Sequence, residues 1–247
     1  MRALALALVA LTLAGCSRTA AQDEARPLVV VLFDVSKSTQ DPSIRDAYRA
    51  AFERVVDAVA ADHGTLVGDV IDDNPLAHSS YPIDATFPAC DPLTDNRLEC
   101  DARDAQVRDH VMASASSILD GTAVQAGTDI HDGVRLAERV FAAYPQATSR
   151  SLVVLSDMVE RSRELSVGRV ASDDSVASTL DAFAADGAIP NLADVDVYVV
   201  GAGMVSSSSA LPAERILAIQ RFWQAYFTAA GAELPPERYG AALVRFP

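Results

Sequence analysis

The chain has 247 residues, half of them hydrophobic and 22% charged, so it can bury a sizeable core and is not a disordered chain. Acidic residues outnumber basic ones by 34 to 20, which gives a formal net charge of −14. Such a chain has no general positive field for binding phosphate backbones, which excludes nucleic acid as a predicted partner.

The N-terminal segment predicts export. One positive charge precedes an apolar run over residues 3–14, which is too short to cross ~30 Å of hydrocarbon as a helix. The run ends in Leu-Ala-Gly-Cys at residues 13–16, which resembles the lipobox of bacterial lipoproteins. That resemblance implies a signal peptide over residues 1–15, acylation of Cys16, and a lipid anchor on the extracytoplasmic side of the cell envelope. Ser17 in the next position implies the outer membrane, if the organism has one; the alternative is a chance cysteine in an ordinary signal peptide.

The mature chain then reads as a lipidated tether over residues 16–27 and a single domain over residues 28–247. Residues 28–33 form an unbroken apolar run, which predicts a strand covered on both faces in a parallel sheet. Asp41 followed by a proline predicts a helix start, and apolar residues recur at helical spacing as far as Val59.

A second strand is predicted over residues 65–71, and the proline-rich and aspartate-rich stretch over residues 72–101 is interpreted as an insertion. It contains Cys90 and Cys100, which we expect to form a disulfide in an exported chain, with a gain of roughly 2 to 3 kcal/mol in the chain-entropy model. A zinc site is the alternative, but no second cysteine or histidine pair lies nearby. Helical periodicity resumes over residues 103–119.

The second half continues the alternation of helices and strands. We predict a helix after Asp129, a strand at 151–155, a helix at 176–184, a strand at 195–200 and a helix at 212–230. This order predicts an α/β fold, Rossmann-like and doubly wound, with a mostly parallel sheet flanked by helices. An aromatic cluster in the last helix predicts a buried stripe, with a partly exposed docking surface as the alternative: Phe222, Trp223, Tyr226 and Phe227.

Oxygen-bearing side chains gather where the predicted sheet has its carboxyl edge, the place where ligands bind in open α/β folds. Asp34, Ser36 and Ser38 follow the first strand, Thr128 precedes a central helix, and Asp157 follows the strand at 151–155. Hard oxygen ligands select Mg²⁺, with Mn²⁺ and Ca²⁺ as alternatives. Only two of the five residues bring negative charge, so the ion would stay electrophilic toward the carboxylate of a partner.

In order and spacing these elements resemble the metal-ion-dependent adhesion site of von Willebrand factor type A (VWA) domains, over roughly residues 27–230. The resemblance implies that the three hydroxyls of Ser36, Ser38 and Thr128 contact the metal. It implies that the two aspartates contact it directly or through water.

Several neighbours qualify this interpretation. Met158 stands where the family often has glycine, and the stretch over residues 72–101 lies where the family has its edge strand and following helix. Lys37 is expected to point to solvent or to an acidic partner. Asp129 is expected to cap the next helix, and His131 to be structural. The alternative for Asp34, Ser36 and Ser38 is a strand-to-helix turn in which these side chains merely cap backbone amides.

The sequence therefore predicts a membrane-anchored, extracytoplasmic module that binds an acidic residue of a protein partner through a divalent cation, and not an enzyme. One alternative is a metal-dependent phosphoester hydrolase. Haloacid dehalogenase-like phosphatases, however, need an aspartate where Ser36 stands and a later lysine, and Lys37 is the only lysine in the chain. The other alternative is a metal-independent structural scaffold.

Overall fold

The computed structural model describes residues 25–91, 93–121, 127–162, 173–204 and 211–247. The predicted signal peptide, Cys16 and most of the tether lie outside the described residues. Among the residues that are described, no helix combines the length and the apolar character needed to cross a membrane.

The helices and strands alternate along the chain, and most begin and end within a few residues of the predicted bounds. In chain order the elements are β1 (Leu28–Asp34), α1 (Pro42–Ala61), β2 (Thr65–Ile71), α2 (Pro75–His78), β3 (Ile83–Thr86), α3 (Arg97–Asp120), α4 (Ile130–Ala143), β4 (Arg150–Leu155), α5 (Asp173–Ala185), β5 (Val195–Val200), α6 (Ala213–Ala229) and β6 (Tyr239–Gly240).

The six strands form one sheet in the order β3-β2-β1-β4-β5-β6. All neighbouring strands are parallel except β2 and β3, which pair antiparallel. The predicted fold class is confirmed: a single α/β domain with a mostly parallel sheet flanked by helices. Because β1 lies in the middle with its neighbours in parallel register, the carboxyl ends of β1 and β4 meet at one edge.

Two hydrophobic layers cover the sheet, one on each face. Leu28, Val30 and Leu32 of β1 face a core built with α4, α5 and α6. The alternate residues of β1 face a second core built with α1 and α3. The unbroken apolar run of β1 has this origin, since both of its faces are buried.

The stretch over residues 72–101 contains the edge strand β3 and the first turn of α3. Cys90 and Cys100 form the predicted disulfide, with their Cα atoms 5.9 Å apart. The bond joins the loop after β3 to the start of α3, which begins six residues before the predicted helix. Asn96 caps that start by accepting the backbone N–H of Leu98 at 3.0 Å, and this local signal marks the true beginning of the helix.

The aromatic cluster of α6 is core. Its four side chains are fully buried, and neighbouring rings within it lie 5.2 to 6.3 Å apart between centroids: Phe222, Trp223, Tyr226 and Phe227. The alternative of an exposed docking surface at this cluster is therefore wrong.

Candidate metal centre

Asp34, the last residue of β1, anchors the candidate site. Its side chain is fully buried. Its Oδ1 accepts the backbone N–H of Ser36 at 2.9 Å, and its Oδ2 accepts the hydroxyl of Ser156 at 2.7 Å. The second bond joins residues 122 apart in sequence, so the ends of β1 and β4 are fastened to each other at this carboxylate.

The serine turn follows directly. The hydroxyl oxygens of Ser36 and Ser38 lie 3.0 Å apart, so both are presented on the same side of the turn. Thr39 fixes the turn from below, because its hydroxyl donates to the carbonyl oxygens of Asp34 at 2.8 Å and of Ser36 at 3.0 Å. Lys37 is exposed, which confirms that it points to solvent.

Asp157 presents its carboxyl to the same place from the end of β4. The residue is only 1% exposed. Its Oδ1 accepts the backbone N–H of Val159 at 2.8 Å, while Oδ2 is buried and has no hydrogen-bond partner within the described part of the chain. The Ser38 hydroxyl lies near this carboxyl and lowers its pKa without reaching hydrogen-bonding geometry.

Burial and mutual repulsion act on both acids. Loss of hydration raises the pKa of Asp34, against the hydrogen bonds that favour its ionised form. For Asp157, burial first and the charge of Asp34 second raise the pKa to about 7. The two carboxyls are therefore close enough to repel each other in a poorly hydrated place.

No salt bridge among the described residues reaches either acid. Arg45 lowers the pKa of Asp34, but its guanidinium donates to backbone carbonyls, that of Thr39 at 2.8 Å among them. Arg161 lowers the pKa of Asp157 from an exposed position. The fold thus buries two like charges without a basic side chain in contact with them, which is costly unless a cation or a proton compensates.

Thr128 reaches the same edge of the sheet through its backbone. Its N–H and carbonyl pair with those of Arg161, at 3.2 and 3.0 Å, four residues after Asp157. The next residue, Asp129, donates its N–H to the carbonyl of Asp72 at 2.8 Å and caps α4 by accepting the N–H of Asp132 at 2.9 Å. The prediction that Asp129 is an N-cap is confirmed, and Thr128 is buried between the segments that follow β2 and β4.

Met158, which follows Asp157, has a left-handed backbone with φ of +63°. Its side chain is fully buried, and its carbonyl oxygen accepts the indole N–H of Trp223 at 2.9 Å. Its own N–H donates to the hydroxyl of Ser156 at 2.9 Å. The loop keeps the conformation that favours glycine, and Asp157 remains in place.

The floor of the site is closely packed. Gly201, directly after β5, has φ of +93°, and a Cβ there would lie 2.5 Å from a ring carbon of Tyr48. Tyr48 is fully buried, and its hydroxyl has no hydrogen-bond partner among the described residues. Burial and the charges of Asp34 and Asp157 raise its pKa, so the hydroxyl of Tyr48 lies near the two acids.

Sequence reasoning missed two residues of this region. Ser156 stands at the end of β4 and bonds Asp34; its position directly after an apolar strand was the available signal. Glu160 is fully buried and accepts the backbone N–H of His131 at 3.1 Å. His131 itself is structural, since its Nε2 lies 2.9 Å from the carbonyl oxygen of Ala188 and its ring packs on Phe183.

The donor set fits a hard divalent cation. Hydrogen bonds join Asp34, Ser36 and Ser38. The carboxyl of Asp157 lies close enough to Asp34 and Ser38 for both to shift its pKa, and Thr128 reaches the same edge of the sheet. The Oδ2 of Asp157, which has no hydrogen-bond partner among the described residues, offers a buried carboxylate oxygen, and the hydroxyls offer neutral oxygens. This is the ligand chemistry of Mg²⁺ and Mn²⁺. Two further groups of potential ligands lie on the Thr128 side of the site, within 4.8 Å in each group: Asp72, Asp73 and His78, and Asp129, His131 and Asp132.

No protein-family model and no curated protein matches the sequence. Among solved structures, the chain is similar to the manganese-loaded TRAP protein of Plasmodium vivax, with 10% identity, a TM-score of 0.45, and coverage of 88% of this chain and 68% of that one. It is also similar to the pilus adhesin SpaC of Lactobacillus rhamnosus GG in its open conformation, with 10% identity, a TM-score of 0.46, and coverage of 90% and 28%. A third similar structure is proximal thread matrix protein 1 of the mussel byssus, with 12% identity, a TM-score of 0.35, and coverage of 84% and 48%. The chain thus spans less than a third of the pilus adhesin, and likeness at these identities concerns the fold alone.

Proposed function

We propose that this protein is a protein-binding module that uses a divalent cation held at the edge of its sheet to bind a carboxylate of a partner. The observation that carries the proposal is the pair of buried aspartates, Asp34 and Asp157, which repel each other. Among the described residues no salt bridge reaches either of them, and Oδ2 of Asp157 has no hydrogen-bond partner. A divalent cation would compensate both charges at once.

The roles of the residues follow from their chemistry. Asp34 and Asp157 would supply the two negative charges, and Ser36, Ser38 and Thr128 would supply neutral oxygens. When bound, the ion would be an electrophile with affinity for an external carboxylate. The bonds of Asp34 to Ser36 and Ser156 hold its carboxylate in a fixed orientation before the ion arrives.

Binding is favoured over catalysis by the residues around the acids. A phosphoester hydrolase of the haloacid dehalogenase type would need an acid at the position of Ser36. The Ser36 hydroxyl instead lies 3.0 Å from the hydroxyl of Ser38, so two neutral oxygens stand where that acid would be. Lys37, the one lysine of the chain, is exposed beside the serine hydroxyls, where it would attract an acidic partner surface.

We also propose that the module is attached to the extracytoplasmic side of the cell envelope through an acylated Cys16. The disulfide between Cys90 and Cys100 suits an oxidising compartment. Replacing Cys16 with alanine should move the protein from the membrane fraction to the soluble fraction; unchanged membrane association of the variant would contradict the anchor.

Isothermal titration with Mn²⁺ tests the site. The double variant Ser36→Ala/Ser38→Ala should lose Mn²⁺ binding while its melting temperature without metal stays close to wild type, because removing two small hydroxyls takes no apolar volume from the core. The matched control replaces two exposed helical serines, Ser117 and Ser178, with alanine. Undiminished binding by the site variant would refute the assignment.

The rival functions are separated by a second pair of measurements. Retention of a partner from an envelope extract should be lost in EDTA and restored by Mg²⁺; equal retention in EDTA would favour a metal-independent scaffold. Turnover of p-nitrophenyl phosphate that disappears in Asp34→Ala would favour the hydrolase.

A further inference from the structure

Glu160 is an acidic residue in the buried interior of the fold, where acidic residues are rare. It is fully buried, and glutamate is almost never fully buried unless it is paired. Its two oxygens have hydrogen-bond donors: Oε2 accepts the backbone N–H of His131 at 3.1 Å, and Oε1 accepts the hydroxyl of Ser162 at 2.8 Å. No salt bridge within the described ranges involves it.

The surroundings of Glu160 disfavour the ionised form of its carboxyl group. Burial first, and then the charges of Asp129 and Asp132, raise the pKa of Glu160 well above its ordinary value. Packing alone could be achieved by an apolar side chain of the same size at lower cost. A residue kept here despite that cost is needed for the hydrogen bonds that it accepts.

Those hydrogen bonds join two segments of the proposed metal site. Glu160 comes three residues after Asp157, and His131, whose N–H it accepts, comes three residues after Thr128 in the first turn of α4. The backbone pairing of Thr128 with Arg161 runs beside it. Three hydrogen bonds thus connect the segment before and at the start of α4, residues 128–131, with the segment that follows Asp157. Two are the backbone bonds between Thr128 and Arg161, and the third is the bond from the His131 N–H to the Glu160 side chain.

We propose that Glu160 is a positioning residue of the metal site, which clamps the start of α4, and with it Thr128, onto the segment that presents Asp157. This inference rests on the proposed function. The clamp acts through the hydrogen-bond acceptor at Oε2, and it does not require contact between Glu160 and the ion.

The test compares two uncharged variants of nearly equal size, Glu160→Gln and Glu160→Met. Glutamine keeps an acceptor for the N–H of His131, and methionine has none, so the difference between them isolates the acceptor from the charge. We expect Mn²⁺ affinity, measured by isothermal titration, to stay within about twofold of wild type in Glu160→Gln. In Glu160→Met it should fall by about tenfold or more, the usual range for loss of a residue that orients metal ligands.

Two controls separate positioning from general destabilisation. Tyr226→Phe removes a buried hydroxyl that has no hydrogen-bond partner among the described residues and whose pKa is raised in part by Glu160, and it should leave Mn²⁺ affinity unchanged. Val56→Ala opens a cavity in the opposite core and should lower the melting temperature without changing Mn²⁺ affinity. If Glu160→Met does not fold, Glu160→Asp takes its place, since the shorter arm withdraws the acceptor and should weaken binding in the same direction.

The outcomes are distinct. Wild-type Mn²⁺ affinity in both the glutamine and the methionine variant would overturn the clamp. An equal loss of affinity in both variants would also overturn it, because the charge of Glu160 would then be the property that matters. Absence of Mn²⁺ binding by the wild-type protein would overturn the proposed function itself.

Discussion

Asp157 combines features that an ordinary surface aspartate lacks. It is nearly inaccessible, it lies close to a second buried carboxylate, and one of its oxygens has no hydrogen-bond partner among the described residues. An unsatisfied buried polar atom costs about 1 to 3 kcal/mol, and more when it is charged. A cation bound as proposed would compensate this cost.

This carboxyl gives the protein a measurable pH dependence. The pKa of Asp157 is raised from 3.8 to about 7 in the fold without metal, so the folded state holds a proton that the unfolded state has released. The free energy of unfolding should therefore fall as the pH rises from about 4 to about 7 in EDTA. Chemical denaturation across that range measures it, and a flat profile would contradict the buried acid pair.

Metal binding should show the opposite trend. Because a proton must leave before the ion can bind, Mn²⁺ affinity should increase by up to about tenfold per pH unit below the pKa of about 7. Isothermal titration at several pH values in this range tests the same group independently.

Met158 shows how two local effects are balanced at one residue. Its left-handed backbone costs about 1 to 2 kcal/mol for a residue with a side chain. A fully buried methionine side chain stabilises a fold by roughly 1.5 to 3 kcal/mol, which offsets the strain. A glycine is not needed at this position because the methionine side chain reaches the core.

At the scale of elements, a hydrogen bond connects α6 to the loop that follows β4. The indole N–H of Trp223 donates to the carbonyl of Met158, directly after Asp157. Trp223→Phe should lower the free energy of unfolding by about 2 to 4 kcal/mol, because it leaves a cavity and an unsatisfied carbonyl. It should also weaken Mn²⁺ binding, because the loop loses its support.

The matched control is Phe227→Leu, which removes volume from the same buried helix face with no bond to the loop. It should lower stability but leave Mn²⁺ affinity unchanged. An equal loss of affinity in both variants would mean that α6 acts through packing rather than through the hydrogen bond. Because Trp223 is the only tryptophan and bonds to the residue after Asp157, its fluorescence should respond to ion binding in the wild-type protein.

The disulfide supports a different part of the fold. It fastens the loop after β3 to the start of α3, on the α1 side of the sheet and near the β3 edge. Replacing Cys90 and Cys100 together with serine should reduce the free energy of unfolding by about 2 to 3 kcal/mol. Mn²⁺ affinity should be unchanged, and a large loss of affinity would show that the β3 edge reaches the metal centre.

At the scale of the whole molecule, ion binding and folding should be linked. An ion that binds only the folded state at a concentration 100 times its dissociation constant adds about 2.7 kcal/mol of stability. Thermal unfolding in Mg²⁺ or Mn²⁺ should therefore show a higher midpoint than in EDTA. The increase should be absent from Ser36→Ala/Ser38→Ala and present in the control with alanine at Ser117 and Ser178.

The strands of the sheet differ in how far the sequence alone predicts them. The four long parallel strands were predictable because each is a run of six or seven residues dominated by apolar, mostly β-branched side chains. The strands β3 and β6 were not, because they have four and two residues, and their strand character comes from pairing with a neighbour. Their sequences carry no periodic signal of useful length.

The sequence by itself determined the α/β class, the disulfide pair, and which oxygen-bearing residues stand after β1, before α4 and after β4, because these depend on local pattern and chain order. Only the tertiary structure decided that Ser156 bonds Asp34 across 122 residues and that Glu160 reaches the start of α4. It also decided that one oxygen of Asp157 has no hydrogen-bond partner among the described residues. Hydrogen-bond satisfaction and loss of hydration are set by groups that the fold brings together from distant positions, and no local pattern records them.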